Sequence, residues 1–533
     1  MQVKATLNPP RAALAVAIMA TLGVAGCGGN DANSSQAASA TVNAQQACDS
    51  LRDKSIGGAT VSAAVVVPAT STNPKYCKVS ALIAPSLIMQ VDLPDSWNGK
   101  LLYEGGGGYD GSIQDVIWSG PAVLSSGYAI AESNGGHIGT SAIDASFASD
   151  PYLAYLFGSG SVPTAAVAAQ KMLEATYKRA PDRSYYEGCS NGGREGLMAA
   201  QRNPDLFDGV IARAPAYNWA AFMGEFNRNA KAISAPGAAF THAKISLLAK
   251  TVRDSCDAND GIIDGVVSNP AACNFDPATL RCPGGTDAGD ICLSDAQLAV
   301  VSSWTTQASF VNGAYTYPGY ALTGNEDDPT GPFAQGGWST WLTGTTGNGS
   351  DALQIAFQDA TVKAYLAKDP NANSLTYDWN SNPAALALMD ALNSATNADL
   401  RPFMNNGGKL LLWHGGNDPA LSNRATTEYY ERVGATVGGE SILKNFVRYY
   451  QAPGVDHCLG GPGADTVNLV DVLDKWVTQG KDPGTPIASK LNTDGSTAFT
   501  RPLCPYPEYP RYSGPANDPN AAARAENYTC TSP

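Results

Sequence analysis

Short apolar runs alternate with segments of helical periodicity along this chain, and the alternation stops once and restarts. Runs at 100–104, 128–132, 185–187, 210–213, 409–414 and 447–451 read as strands, and helical spacing covers 165–179, 194–202, 426–433 and 467–478. In the last of these, Val470, Leu473 and Val477 fall on one side. Strand and helix in alternation bury a mainly parallel sheet between helices, so the expected fold class is α/β. The rhythm holds to about Ala216 and returns after Asp399. Residues 217–400 are instead rich in Gly, Ala, Asn, Asp and Trp and carry four cysteines. A stretch this long reads as an inserted subdomain and not as one loop. The expected division is a core of residues 47–216 and 401–533 with a lid at 217–400.

Of 533 residues, 44% are hydrophobic and 15% charged, which supplies a large core and excludes wholesale disorder. The formal charge is −14 with no basic run, which argues against a nucleic-acid partner. The N-terminus reads as an export signal: Lys4 and Arg11 accompany an apolar stretch ending at Gly26, long enough for a signal core and short for a spanning helix. Val24-Ala25-Gly26-Cys27 resembles a lipobox, which makes 1–26 the signal peptide and Cys27 the lipidated residue. An ordinary secretory signal with an incidental cysteine is the plainer alternative. Residues 27–46 suit a flexible tether. No later segment has ~20 uninterrupted apolar residues, so membrane contact is expected only through the lipid anchor. The expected location is the bacterial periplasm or outer membrane, or outside the cell; the oligomeric state stays open. Ten cysteines besides Cys27 read as disulfides in an exported chain, with their connectivity open. Zinc is the competing use, but there is no C-x-x-C and no Cys/His cluster beyond the pair His457-Cys458.

Gly188-Cys189-Ser190-Asn191-Gly192 fits G-x-S-x-G between an apolar strand and a helical segment. A turn this tight needs small neighbours around a strained serine, and the helix N-terminus beneath it favours an oxyanion. A serine nucleophile needs an imidazole base and a buried acid, which follow in the order Ser, Asp, His in this kind of fold. Asp418 closes the strand-to-turn run Leu410-Leu411-Leu412-Trp413-His414-Gly415-Gly416-Asn417-Asp418, and His457 follows the next strand. Asp456 as the acid and His414 as the base are the alternatives. Asp456 adjoins His457 and is poorly placed to reach its Nδ1, and His414 precedes the acid. Cys189 adjoins the proposed nucleophile and Cys458 the proposed base. If Ser190 and His457 are in hydrogen-bond reach, these cysteines come within the ~4.4–6.8 Å that a disulfide spans. For the oxyanion hole, Asn191 supplies one backbone N–H. The second is expected from Gly105-Gly106-Gly107-Gly108, at Gly107 or Gly108.

The run Gly188-Cys189-Ser190-Asn191-Gly192-Gly193-Arg194-Glu195, paired with His457-Cys458, resembles the tannase/feruloyl esterase family of α/β-hydrolases over nearly all of the mature chain. The resemblance implies an α/β-hydrolase core, a Ser190–His457–Asp418 triad, a Cys189–Cys458 bridge and a large lid. It makes Cys48–Cys77, Cys256–Cys273, Cys282–Cys292 and Cys504–Cys530 the remaining pairs, which proximity in sequence also favours. Relatives carry calcium in a similar lid loop. Carried over to Cys256-Asp257-Ala258-Asn259-Asp260-Gly261-Ile262-Ile263-Asp264-Gly265-Val266, the ligands are the side chains of Asp257, Asp260 and Asp264 and the carbonyls of Ile262 and Val266. Three carboxylates this close repel unless a hard cation takes them up, although a solvated acidic turn is the plainer reading. This loop is not an EF-hand, because its glycine comes one position early and Ser268 stands in place of the bidentate Glu.

Residues 282–362 hold no Lys or Arg but nine aromatics: Trp304, Phe310, Tyr315, Tyr317, Tyr320, Phe333, Trp338, Trp341 and Phe357. A free substrate carboxylate would want a guanidinium clamp, so the lid favours a neutral aromatic acyl group. Trp338, flanked by glycines, is the expected pocket wall on an exposed turn. The chain thus reads as an exported serine esterase acting on small esters of aromatic acids, feruloyl or galloyl in type, with structural calcium and no organic cofactor. The alternatives are a hydrolase of terephthalate- or phthalate-type esters and, in another class, a calcium-stabilised envelope binding lipoprotein on a hydrolase scaffold.

Overall fold

Five pairwise-parallel contacts build the centre of the sheet, and the sequence runs that form them are buried almost throughout. The computed structural model describes residues 42–329, 336–516 and 518–533. The signal segment, Cys27, most of the tether and Phe333 lie outside them. The first strands are β1 (Ser55–Ile56), β2 (Ala59–Val67), β3 (Tyr76–Ile83), β4 (Leu87–Pro94), β5 (Lys100–Glu104), β6 (Ala129–Ser133), β7 (Arg183–Cys189) and β8 (Gly209–Arg213). A small hairpin in the insertion supplies β9 (Ala308–Phe310) and β10 (Tyr315–Tyr317), and the core resumes with β11 (Lys409–Gly415) and β12 (Val447–Ala452). The main sheet has the order β1-β2-β3-β4-β6-β5-β7-β8-β11-β12. From β6 to β12 neighbouring strands are parallel, and β1 to β4 add an antiparallel wing joined to β6.

All six expected strands are present within a residue or two. The antiparallel wing was not anticipated: its strands alternate buried and exposed residues, as in β2, where Val65 is exposed. Helix Ser161–Tyr177 lies against β4 and β6 through Ala165, Ala166, Ala168 and Ala169, whose small side chains permit close approach. Helix Asn191–Arg202 backs β7 and β8. Helix Leu469–Gln479 covers β8 and β11 with Leu469, Val470, Leu473 and Trp476; the Asn468 side chain accepts the Asp471 N–H at its start, and Gly480 ends it in the left-handed region.

The chain leaves the sheet after β8 and re-enters at β11. The insertion is more regular than its composition suggests, with helices Trp219–Ile233, His242–Cys256, Asp295–Thr305, Leu353–Thr361 and Pro383–Asn393. The first is buried around most of its circumference, so it lacks the one-sided stripe by which a surface helix is read. No helix among the described residues is long and apolar enough to cross a membrane. Disulfides join Cys48–Cys77, Cys189–Cys458, Cys256–Cys273, Cys282–Cys292 and Cys504–Cys530, a set that fits an oxidising compartment.

Candidate active site

Ser190 is the single residue between β7 and helix Asn191–Arg202, and its backbone (φ 62°, ψ −118°) lies where side-chain-bearing residues rarely go. The turn is held by Ser190 N–H donating to the Arg213 carbonyl at 3.0 Å, while the Ser190 carbonyl accepts the Arg194 and Ala216 N–H groups at 3.1 and 3.0 Å. A Cβ on Gly192 would lie 2.6 Å from the Gly106 carbonyl oxygen, and one on Gly193 would lie 2.4 Å from that of Arg213. The glycines of the motif are therefore required by backbone crowding.

Asp418 and His457 leave the carboxyl ends of β11 and β12, where open parallel sheets gather their functional groups. His457 Nδ1 is 2.8 Å from Asp418 Oδ2, and Asp418 Oδ1 accepts the N–H groups of Ala420 and Leu421 at 2.8 and 2.9 Å. Burial would raise the Asp418 carboxyl, but His457 and His414 overcome this and hold it well below the usual range. The Cys189–Cys458 bridge, with a Cα separation of 6.0 Å, ties the serine turn to the His457 loop, and Cys458 itself sits at φ 71°. Both sequence alternatives are accounted for elsewhere. His414 contacts Asp418 from the other side, through Nε2 at 3.0 Å. Asp456 is buried, and burial together with Asp328 of the insertion pushes its carboxyl well up.

Ser190, Asn191 and Gly108 line one narrow cavity, walled by Tyr109, Trp219, Phe222, Phe226, Trp341 and Phe357 among others, with no Lys or Arg among its described lining residues. Gly108 has φ +58°, open to glycine, whereas Gly107 faces the Gln114 side chain. Of the two glycines offered by the sequence, Gly108 is the one beside Ser190. The Asn191 side chain is clamped: its Nδ2 donates to Asp110 Oδ1 at 2.6 Å, and Arg194 Nε donates to its Oδ1 at 2.7 Å. Arg194 is fully buried, donating also to the Phe157, Gly158 and Asn393 carbonyls. Among the described residues Asp110 Oδ2 and Glu195 Oε1 have no hydrogen-bond partner, and burial and the Glu195 charge push the Asp110 carboxyl well up; one proton shared between the two carboxyls would satisfy both. Asp110 and Arg194 had no role in the sequence reading. The only available signals were that Asp110 follows the glycine run by two residues and that Arg194 lies one turn into the helix after Ser190.

Trp338 is not on an exposed turn. It is 1% exposed, packed edge-on against Trp304 and Phe240 at 5.4 and 5.6 Å between ring centres. The flanking glycines serve close backbone approach instead, since a Cβ on Gly337 would lie 2.2 Å from the Glu326 carbonyl oxygen. Trp341, one turn later, walls the Ser190 cavity and meets the His457 ring edge-on at 5.5 Å.

In the acidic loop, Asp257 accepts the Asp264 and Gly265 N–H groups, Asp264 Oδ1 accepts that of Val266, and Asp264 Oδ2 pairs with Arg501 at 2.8 Å. Among the described residues no three carboxylate, thiolate or imidazole groups converge as a metal-binding cluster. Among the described residues Asp260 Oδ2 is nevertheless buried without a hydrogen-bond partner of its own, and burial pushes this carboxyl up to about 6 against hydrogen bonding from Ser268 and the Ile262 N–H. An unpartnered buried oxygen within a hard-oxygen donor set fits a calcium ion.

A family model described as tannase and feruloyl esterase matches residues 70–531. The chain is 32% identical to mono(2-hydroxyethyl) terephthalate hydrolase of Piscinibacter sakaiensis, across 91% of this chain and 92% of that protein. It is 31% identical to a probable feruloyl esterase B-2 of Aspergillus terreus, across 85% of this chain and 86% of that one. Among solved structures, feruloyl esterase B from Aspergillus oryzae aligns with a TM-score of 0.77 at 25% identity, over 91% of this chain and 100% of that chain. The tannin acyl hydrolase from Aspergillus niger shares the fold, with a TM-score of 0.70 at 21% identity over 92% of this chain and 95% of that one. The fold is thus an α/β-hydrolase sheet carrying a large insertion. Because the match runs through core and insertion alike, the chain belongs to the tannase and feruloyl esterase family of carboxylic ester hydrolases.

Proposed function

We propose that this ester hydrolase is an exported serine esterase that cleaves neutral esters of aromatic acids, feruloyl or galloyl in type, through an acyl-enzyme. His457 takes the Ser190 proton as Oγ attacks the ester carbonyl, and Asp418 orients the imidazole and stabilises its charged form. The oxyanion is received by the backbone N–H groups of Asn191 and Gly108 at the start of helix Asn191–Arg202. His457 then protonates the departing alcohol, and water, activated by the same imidazole, releases the acid and restores Ser190. The observation that carries the reading is the strained Ser190 backbone opening into an aromatic cavity beside Gly108 and Asn191.

The cavity wall favours a flat apolar acyl group, and the missing guanidinium disfavours a free carboxylate at its far end. That sets this chain apart in substrate from what the name of its Piscinibacter relative describes. Turnover of a hydroxycinnamate ester, a gallate ester, a neutral phthalate-type diester and a terephthalate monoester, each with wild type and Ser190→Ala, tests this. Faster turnover of the neutral aromatic esters is expected; preference for the monoester would contradict the substrate assignment.

Calcium, held by Asp257, Asp260, Asp264 and the Ile262 and Val266 carbonyls, would act structurally, neutralising the loop's charge next to the Cys256–Cys273 bridge. Lipid attachment at Cys27 after removal of residues 1–26 would tether the catalytic domain (47–216 and 401–533) and its lid (217–400) to the envelope. Loss of membrane association in Cys27→Ala would support the anchor over a freely secreted form.

A further inference from the structure

Asp418 receives two imidazoles, and the proposed mechanism uses only one. His414, in β11 (Lys409–Gly415), is 0% exposed. Its Nε2 lies 3.0 Å from both Asp418 Oδ2 and the Leu421 carbonyl oxygen, and its Nδ1 lies 2.8 Å from Thr426 Oγ1. A carboxylate and a carbonyl only accept, so Nε2 carries the proton. The Thr426 hydroxyl donates to Nδ1, and every contact is satisfied with the ring neutral. Asp418 Oδ1 is already filled by two backbone N–H groups, so the two imidazoles share Oδ2.

We propose that His414 is a positioning residue for the reaction: a fixed Nε2–H donor that locks the rotation of the Asp418 carboxylate and draws off part of the charge it offers to His457. The proposal rests on the Ser190–His457–Asp418 reading above. With four donors around it the carboxylate has no free direction in which to swing away from the base. A carboxylate that also serves His414 stabilises the imidazolium less than one serving His457 alone. The shared carboxylate therefore fixes the base in place while favouring its charged form less than an unshared aspartate would.

The other ionisable groups facing this pair come from three elements. Tyr317 and Tyr320 of the insertion lie near Asp418, and burial keeps both phenols protonated. Asp456, on the His457 loop, is pushed up by burial and by Asp328 of the insertion, and Lys490 from the C-terminal hairpin opposes that rise. None of these side chains hydrogen-bonds His414, so substitutions there leave them in place.

The test compares wild type with His414→Phe, His414→Asn and His414→Gln. The readouts are kcat/KM against pH on a neutral model ester, fluorophosphonate titration of active sites and melting temperature. Gln places an N–H near the Nε2 position, Asn keeps a polar group facing Thr426 but stops short of Asp418, and Phe fills the space with no donor. The Phe and Asn variants are expected to move the acid limb of the profile up by about 0.5–1 in pH and to lower kcat about tenfold per titrated site, with KM within about twofold. Gln is expected to restore most of both. A purely structural role would lower melting temperature and titratable sites while leaving the limb where it is. If Phe or Asn, neither of which offers Asp418 a donor, folds and keeps the wild-type limb, or if Gln matches Phe and Asn, the proposal is overturned. The underlying reading fails separately, and only if Ser190→Ala retains turnover.

Discussion

Asn191 donates to Asp110 and accepts from Arg194, so the residue whose N–H faces the proposed oxyanion cannot rotate without breaking two buried hydrogen bonds. Asp110→Ala should lower kcat about tenfold with KM within about twofold, because a displaced donor costs most in the transition state. Asp110→Asn should keep most of the activity, since its NH2 takes the place of the proton shared with Glu195. Steady-state kinetics of the pair checks this; equal losses in both would mean that the carboxyl proton itself matters. At this scale the Ser190 turn and the Cys189–Cys458 bridge beside it were legible, because a strained turn with enforced glycines leaves a local signature. Asp110, Arg194 and Trp341 were not, because their partners lie far away in sequence. His414 was visible only as a rival base, since a spacing of four residues from Asp418 does not reveal which side of the carboxylate it occupies.

The antiparallel wing meets the parallel sheet at β4 and β6, where Asp92 pairs across from Ile130 and Gln90 from Glu132. Burial, with Asp115 adding to it, pushes the Glu132 carboxyl up to about 8; burial likewise takes Asp92 to about 7 against the pull of Lys78. Unfolded carboxyls ionise near about 4, so between there and about 8 the unfolded chain has released protons that the folded chain still holds. Stability should therefore fall as pH rises through that window and level off above it. Melting temperature measured at pH 5 and pH 8 should show the drop. Glu132→Gln, which keeps the oxygen that accepts the Asp115 N–H, should flatten it. An unchanged slope in the variant would contradict this assignment. The same strands show what a sequence reading captures. Leu410-Leu411-Leu412-Trp413 in β11 is buried on both faces and reads as a continuous apolar run, whereas the half-exposed pattern of β2 does not. Helix Trp219–Ile233 was lost for the opposite reason, being buried on most sides at once, with Glu225, Asn227 and Asn229 among its buried residues.

Across the whole molecule, the insertion supplies much of the cavity wall, and the ends of the strands supply Ser190, Asp418 and His457. The Cys189–Cys458 bridge has a sequence separation of 269 and ties the Ser190 turn to the His457 loop. The acidic loop is joined by the Asp264–Arg501 pair to the antiparallel strands Ile487–Leu491 and Thr497–Pro502. If calcium fills that loop, chelation should lower the melting temperature by several degrees, and added calcium should reverse it. An Asp260→Asn variant should have lost the response. No change on chelation would leave the loop as an acidic turn held by its own N–H groups, Arg501 and the Cys256–Cys273 bridge.

The proposed chemistry turns on Ser190 as the nucleophile. A fluorophosphonate probe followed by peptide mapping addresses it directly. The account predicts one adduct, on the peptide containing Ser190. It also predicts that Ser190→Ala loses both the adduct and model-ester turnover, by about a thousandfold or more. An adduct elsewhere, or a Ser190→Ala variant that turns over ester at the wild-type rate, would contradict it.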